Sequence, residues 1–193
     1  MAIPTARRTQ ADRTAATKAA LADAAIEVLI EKGWAATTVI EVCNRVAMTR
    51  GAFHHHYDTL PELLADALRR LYAETIHISR REITDVAGLI EVTWKAVGNP
   101  RFKAVIEAWL AMANDPSLRV EIGPVVAEFA GLVNPDNVTA ILTDTKRRDF
   151  FITARESMLG LALGRATNGG KPLGHERRVL ARIRSEAAII DAN

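Results

Sequence analysis

Apolar residues recur at helical spacing through almost the whole chain, and no stretch alternates apolar and polar positions with the β-branched and aromatic content of a strand. This property restricts the fold to an all-helical one, which polar caps, glycines and prolines then divide into segments. A first helix is predicted over residues 11–32, with Leu21, Ala24, Ala25, Val28 and Leu29 on one face and Gly33 as its stop. Thr38 followed by Glu41 has the form of a capping box for a short second helix carrying Val39, Val42, Cys43 and Val46. Ala47, Met48 and Thr49 make a tight turn, and Thr49 caps a third short helix over 50–57. Thr59 with Glu62 opens a long fourth helix, whose first turn tolerates Pro61 because its N–H groups have no helical partner.

Farther along, Gly98-Asn99-Pro100, Asp115-Pro116 and Asn134-Pro135 each place a polar cap before a proline and mark three helix starts. Gly123 and Pro124 are expected to kink or interrupt the helix after Asp115. The last two helices are predicted over 148–166 and 173–190, separated by Asn168-Gly169-Gly170-Lys171-Pro172.

Composition excludes several function classes. Of 193 residues, 49% are hydrophobic and 25% charged, a globular balance. No apolar run approaches the ~20 residues of a membrane span. The N-terminus passes from Met1-Ala2-Ile3-Pro4 to Arg7 and Arg8 without an apolar signal core, so a cytoplasmic protein is expected. Cys43 is the single cysteine, which excludes an intrachain disulfide and reads as a small buried thiol. A glycine-rich phosphate loop, a nucleophile-elbow serine and a zinc-binding HExxH helix are all missing, so neither an enzyme nor a cofactor is expected. His54-His55-His56 is not a metal site, because consecutive helical residues project ~100° apart and cannot converge on one ion.

Two short helices joined by about three residues and backed by a longer one have the form of a helix-turn-helix. Its residues, Thr37-Thr38-Val39-Ile40-Glu41-Val42-Cys43-Asn44-Arg45-Val46-Ala47-Met48-Thr49-Arg50-Gly51-Ala52-Phe53-His54-His55-His56-Tyr57, closely resemble the DNA-binding signature of the TetR family. The resemblance extends back through Gly33-Trp34 and forward through Leu63-Leu64; the rest of the chain is similar to the family in length and helical character. It implies a helix-turn-helix head over 1–58 and an effector-binding, dimerising body over 59–193.

Within the head, Phe53 and Tyr57 lie four residues apart and can pack inward, leaving Arg50, Gly51, Ala52, His54, His55 and His56 on the remaining surface. Arg50 is the best base reader, since a guanidinium can donate to O6 and N7 of guanine together. Gly51 and Ala52 are small enough for close backbone approach, and Ala52 can meet a thymine methyl. Thr38, Thr49, His55 and His56, with the N–H groups of both helix starts, are suited to phosphate. Arg7, Arg8 and Arg13 offer a basic arm. Net charge is only +2, so a positive face requires Asp23, Glu27 and Glu31 to point away from DNA. Three positions depart from the family pattern: Ala47 stands for its turn glycine, His54 for its common tyrosine, and Leu60 for its frequent phosphate-binding lysine.

In the body, His77, Trp94, Phe102, Trp109 and Met112 are candidates for an effector pocket, with core packing as the alternative for each. Ser157, Gly160 and Gly164 follow small-residue spacing, and with Leu180 and Ile183 of the last helix they are candidates for the dimer interface that the family builds there. A two-fold axis would set the recognition helices ~34–36 Å apart, matching successive major grooves. The resemblance thus implies a homodimeric repressor that binds a palindromic DNA operator and releases it on binding a small molecule. The rival readings are a helical small-molecule binder with a degenerate head, and a helical enzyme acting in the body cavity.

Overall fold

A computed structural model describes residues 9–79, 83–132 and 134–192. Among these residues there are nine α-helices and no strand. They are α1 (Gln10–Lys32), α2 (Val39–Arg45), α3 (Arg50–Phe53), α4 (Leu60–Ser79), α5 (Val86–Val97), α6 (Phe102–Asn114), α7 (Pro116–Leu132), α8 (Thr145–Thr167) and α9 (Glu176–Asp191). None of the described helices is long and apolar enough to cross a membrane.

α1 begins at a full capping box, in which Thr9 Oγ1 accepts from the Asp12 N–H and the Asp12 carboxylate accepts from the Thr9 N–H. It buries Leu21, Ala22, Ala24, Ala25, Ile26, Val28 and Leu29, a wider surface than the single predicted stripe. The alanines leave neighbours room to approach on both sides. α2, α4 and α6 pack against it, and α3 packs on α2. Gly33 then ends the helix with φ 77° and ψ 178°, a backbone region that is essentially reserved for glycine.

α4 packs on α1 and α7, α7 on α6, and α5 lies against α8 and α9. Two long-range ties close this body. Asp191, at the end of α9, accepts from the N–H groups of Val86 and Ala87 at the start of α5 (3.0 and 2.8 Å) and from Arg147 (3.1 Å). Arg165 of α8 donates to the Glu176 carboxylate and to the Gly98 carbonyl, with its guanidinium 5.0 Å from the centre of the Trp94 ring. Glu176 is buried at 6% exposure, and Arg165 holds its carboxyl below the ordinary glutamate range.

Several predicted segments differ from what forms. α3 covers only Arg50–Phe53 rather than reaching 57, because the bonding tightens: the N–H groups of His55 and His56 return to Ala52 and Phe53, three residues back. The predicted box on α2 is half made; Thr38 caps it, while the Glu41 carboxylate pairs with Lys32 instead. At Gly98-Asn99-Pro100 the helix starts later, at Phe102, after a turn in which Asn99 Oδ1 accepts from the Arg101 N–H. Asn134-Pro135 opens one 3-10 turn, Pro135–Asn137, and no α-helix. α7 runs on through Gly123 and Pro124 without interruption. The sequence reading also lacked α5, whose signal is the cap Asp85 accepting from the Gly88 N–H at 2.7 Å.

Two stability predictions follow from these contacts. Gly33→Ala places a side chain at φ 77° with its Cβ 3.3 Å from Glu107 Oε2, so urea unfolding should show a loss of about 1–3 kcal/mol. For Glu176 the folded carboxyl titrates below its ordinary value of 4.5, so its pairing stabilises the protein above that pH and is lost as the pH falls further. A Glu176→Gln chain should be less stable at neutral pH and lose less on acidification below 4.5, as read by circular dichroism.

Candidate nucleic-acid interface

The head is organised around the turn between α2 and α3. Thr38 Oγ1 accepts from the Glu41 N–H at 3.2 Å and starts α2. α2 ends in a Schellman arrangement: the Met48 N–H donates to the Cys43 carbonyl (2.9 Å) and the Ala47 N–H to that of Asn44 (3.3 Å). This motif requires a left-handed residue, and Ala47 supplies it with φ 52°. Thr49 then caps α3, its Oγ1 accepting from the Ala52 N–H at 3.2 Å.

Two aromatic side chains fix the orientation of α3. Phe53 is fully buried and Tyr57 nearly so, their rings 6.0 Å apart. The Tyr57 hydroxyl donates to Asp66 of α4 at 2.5 Å, and the Lys18 ammonium of α1 lies 4.7 Å from the ring centre. Burial, together with Asp66, pushes the Tyr57 hydroxyl well above its ordinary pKa, so it remains a donor at any physiological pH. Tyr57 thereby joins the recognition segment to α1 and α4 at once. Cys43 lies buried under the same turn, and burial raises its thiol pKa, which makes it an unreactive packing group.

The anchored segment exposes Thr38, Thr49, Arg50, Gly51, His54 and His55, and half exposes Ala52. The Arg50 side chain makes no hydrogen bond or ion pair among the described residues, while Lys32 and Arg45 are both paired with acids. Arg45 donates to Glu31 at 2.6 and 3.0 Å and reaches Glu27 at 3.3 Å, and Asp23 lies 3.6 Å from Arg101. A Cβ built on Gly51 would meet only Thr49 Oγ1, at 4.0 Å, so the chain's own packing gives no reason for glycine there. His54 sets its ring edge to face against Phe53 at 5.2 Å. His56 turns inward: it is half-buried, and its Nδ1 is enclosed without a hydrogen-bond partner. At the start of α4, Thr59 Oγ1 accepts from the Glu62 N–H while the Glu62 carboxylate accepts from that of Asp58. Leu60 sits there half-buried and offers phosphate nothing. Arg13 belongs to α1 and is exposed; Arg7 and Arg8 lie outside the described residues.

The body candidates divide. Phe102 and Trp109 meet edge to face at 5.5 Å and border a cavity of about 250 Å³ between α6 and α8, whereas Trp94 is covered by Arg165. Met112 is half-buried, its sulfur 3.8 Å from a Cβ built on Gly123 of α7. The side chain of His77 lies outside the described residues. Sequence reading missed a stacked pair, Tyr72 on Phe129 at 3.9 Å, which shares the core with two enclosed polar atoms lacking hydrogen-bond geometry, Tyr72 Oη and Trp109 Nε1.

Of the candidate dimer residues, Ser157 and Gly160 are exposed. Gly164 serves close packing within the chain, since a Cβ there would fall 2.5 Å from Leu173. Leu180 and Ile183 are enclosed in the chain's own core, at 6% and 8% exposure, because their stripe packs inward; Leu163 and Ile189 are the exposed apolar side chains of these helices.

A short capped pair of helices, held through buried aromatics on a third and set on a helical body, has the form of a helix-turn-helix. The family model described as bacterial regulatory proteins, tetR family, matches residues 21–67. The chain is 31% identical over 120 residues to the HTH-type transcriptional regulator CymR of Pseudomonas putida, a match covering 58% of this chain and 59% of that protein. Among solved structures, a transcriptional regulator from Rhodococcus sp. Rha1 superposes with a TM-score of 0.70 at 20% identity, over 90% of this chain and 96% of that one. A TetR family member from Streptomyces coelicolor A3 gives 0.61 at 25% identity, over 86% and 96%. The multidrug binding protein EbrR complexed with imidazole gives 0.57 at 25% identity, over 86% and 93%. The chain is thus similar to the tetR family over residues 21–67, and to one curated transcriptional regulator over 59% of that protein's length.

Ala47 gives a direct test of the turn. A left-handed conformation costs a non-glycine residue about 1–2 kcal/mol, while glycine adds about 0.4–1 kcal/mol of freedom to the unfolded chain. Ala47→Gly should therefore raise stability by up to about 1 kcal/mol in urea unfolding, with the turn geometry unchanged.

Proposed function

We propose that this protein is a DNA-binding transcriptional repressor of the cytoplasm, acting as a homodimer on a palindromic operator. The reading divides the chain into a DNA-binding head, 1–58, and a body, 59–193, that holds a small-molecule effector and the dimer contact. The observation that carries it is the outer face of α3: an unpaired Arg50 and a Gly51 that internal packing does not require, held outward by the burial of Phe53 and Tyr57. Arg50 reads guanine in the major groove; Gly51 and Ala52 admit the backbone close to the bases; Thr38, Thr49, His54 and His55 take phosphate and flanking contacts. His56, being half-buried, contributes least.

An effector in the body is supported by the cavity beside Phe102 and Trp109 and by EbrR, which is described as a multidrug binding protein. The exposed Leu163 and Ile189, with Ser157 and Gly160, form the face offered to a second copy. Effector and operator favour different separations of the two heads, so each weakens the other's binding by the same factor.

Fluorescence anisotropy against an operator recovered by selection from random duplexes tests the reading. Arg50→Ala should lose about tenfold to a hundredfold in affinity, the ~1–3 kcal/mol of one bidentate base contact. Its weak binding to unrelated duplex should fall far less. A wild type that enriches no sequence and binds duplex without salt dependence would overturn the proposal and favour a helical ligand-binding protein.

A further inference from the structure

Where α1 ends, α6 closes it off. The Ile30 carbonyl would ordinarily accept from the N–H four residues on, but the Trp34 N–H donates instead to Glu107 Oε2 at 3.1 Å. The Lys103 ammonium fills the vacated place and donates to the Ile30 carbonyl at 2.5 Å. Lys103 and Glu107 are one helical turn apart, so α6 presents a cation to the carbonyl end of α1 and a carboxylate to the N–H beyond Gly33.

Beside this cap lies a cavity of about 280 Å³, enclosed by the last turn of α1, the corner between α5 and α6, and the glycine turn after α8. Its apolar walls include Ile30, Val97, Phe102 and Ala162, and its cations are Lys103 and Arg165. The charges are not equally free. Arg165 is already matched by Glu176, and Glu31, which borders the cavity, is held by Arg45. Of the three charged residues lining the cavity, Lys103 alone has no opposite charge as a partner; it donates to the neutral Ile30 carbonyl. An ionised oxygen is about twice as strong an acceptor for an ammonium as a neutral one. A carboxylate entering the cavity would therefore take Lys103 from α1. The space equals about nine waters of liquid volume, enough for a carboxylate on a short hydrocarbon.

We propose that this cavity binds a small organic anion, a carboxylate with a short apolar tail, whose charge draws Lys103 from the Ile30 carbonyl and uncaps α1. The site lies at the junction of α1 with the body, distinct from the space beside Trp109 between α6 and α8. The binding stands on the geometry alone; its effect on DNA rests on the repressor reading above.

The probe is hexanoate, with hexanamide as its neutral counterpart, titrated into the full chain without DNA and followed by amide NMR shifts. Hexanoate should give saturable shifts around Ile30–Trp34 and Phe102–Glu107 with an affinity of about millimolar, the range open to so few atoms. Hydrogen exchange at the Gly33 and Trp34 amides should accelerate as the ligand binds. Hexanamide should bind about tenfold more weakly or worse, the value of one charged hydrogen bond. Lys103→Met should lose about as much, while Lys103→Arg should stay within about threefold because it keeps the charge. Ala166→Leu, which leaves the cap intact and fills the cavity, should lose at least as much, and it keeps the test decisive where Lys103→Met fails to fold. Equal binding of the two probes, unchanged binding in both Lys103→Met and Ala166→Leu, or no saturable shift with either probe would overturn the proposal. In a second arm, hexanoate should weaken operator binding by the wild type and not by Lys103→Met. Absence of operator binding altogether would count against the repressor reading and leave the NMR result standing.

Discussion

The structure depends on α1 being buried from more than one side. Leu21, Ile26, Val28 and Leu29 are each at most 1% exposed, and each such side chain contributes about 1.5–3 kcal/mol relative to leaving it in water. No single neighbour covers that much of a helix; α2, which carries α3, packs against it along with α4 and α6. Neither the recognition turn nor the body can therefore move without α1 registering it. Tyr57 reinforces the arrangement, since its one side chain touches Lys18 of α1 and Asp66 of α4.

The charges of the head follow from the same helix. Glu27 and Glu31 project from α1 toward Arg45 of α2, and Lys32 toward Glu41, so these three acids are tied to cations of the head itself. These pairs are exposed and each is worth at most about 1 kcal/mol. Their effect lies in the distribution of charge. A chain with a net charge of only +2 can present Arg50 without an acid beside it because Lys32 and Arg45 take up Glu41, Glu27 and Glu31. The cap on α1 uses the same chemistry on the body side, with Lys103 and Glu107 taking the place of backbone partners.

What the sequence made legible was local. Thr38, Thr49, Thr59, Asp115 and Gly33 sit where the caps and stop were expected, because a cap is written in two or three adjacent residues. The inward pair Phe53 and Tyr57 and the outward Arg50 were readable from their spacing. The length of α3 was not, since a switch from four-residue to three-residue bonding leaves no mark in His54-His55-His56. Asn134-Pro135 has the same form whether a helix or one 3-10 turn follows it. The stripe containing Leu180 and Ile183 shows that the last helix buries one face, yet not whether the cover comes from its own chain. Nothing local in the sequence marks Lys103 and Glu107, because their partners on and beyond α1 are 73 residues away.

The departures from the family pattern act on different quantities. At Ala47 the backbone still takes φ 52° and both Schellman bonds still form, so the missing glycine leaves the recognition geometry intact and is felt as stability. Leu60 has the opposite character: it packs half-buried at the start of α4 with no strain, and what is missing is a charge toward the phosphates. Losing one lysine contact removes about one counterion from the salt dependence and leaves base selectivity alone. In the proposed function such a head leans more heavily on Arg50 and on the N–H groups at its helix starts, which are fixed by the turn and the buried aromatics. On the proposed function, selectivity is therefore set by the packing of Phe53 and Tyr57 more than by the number of surface cations.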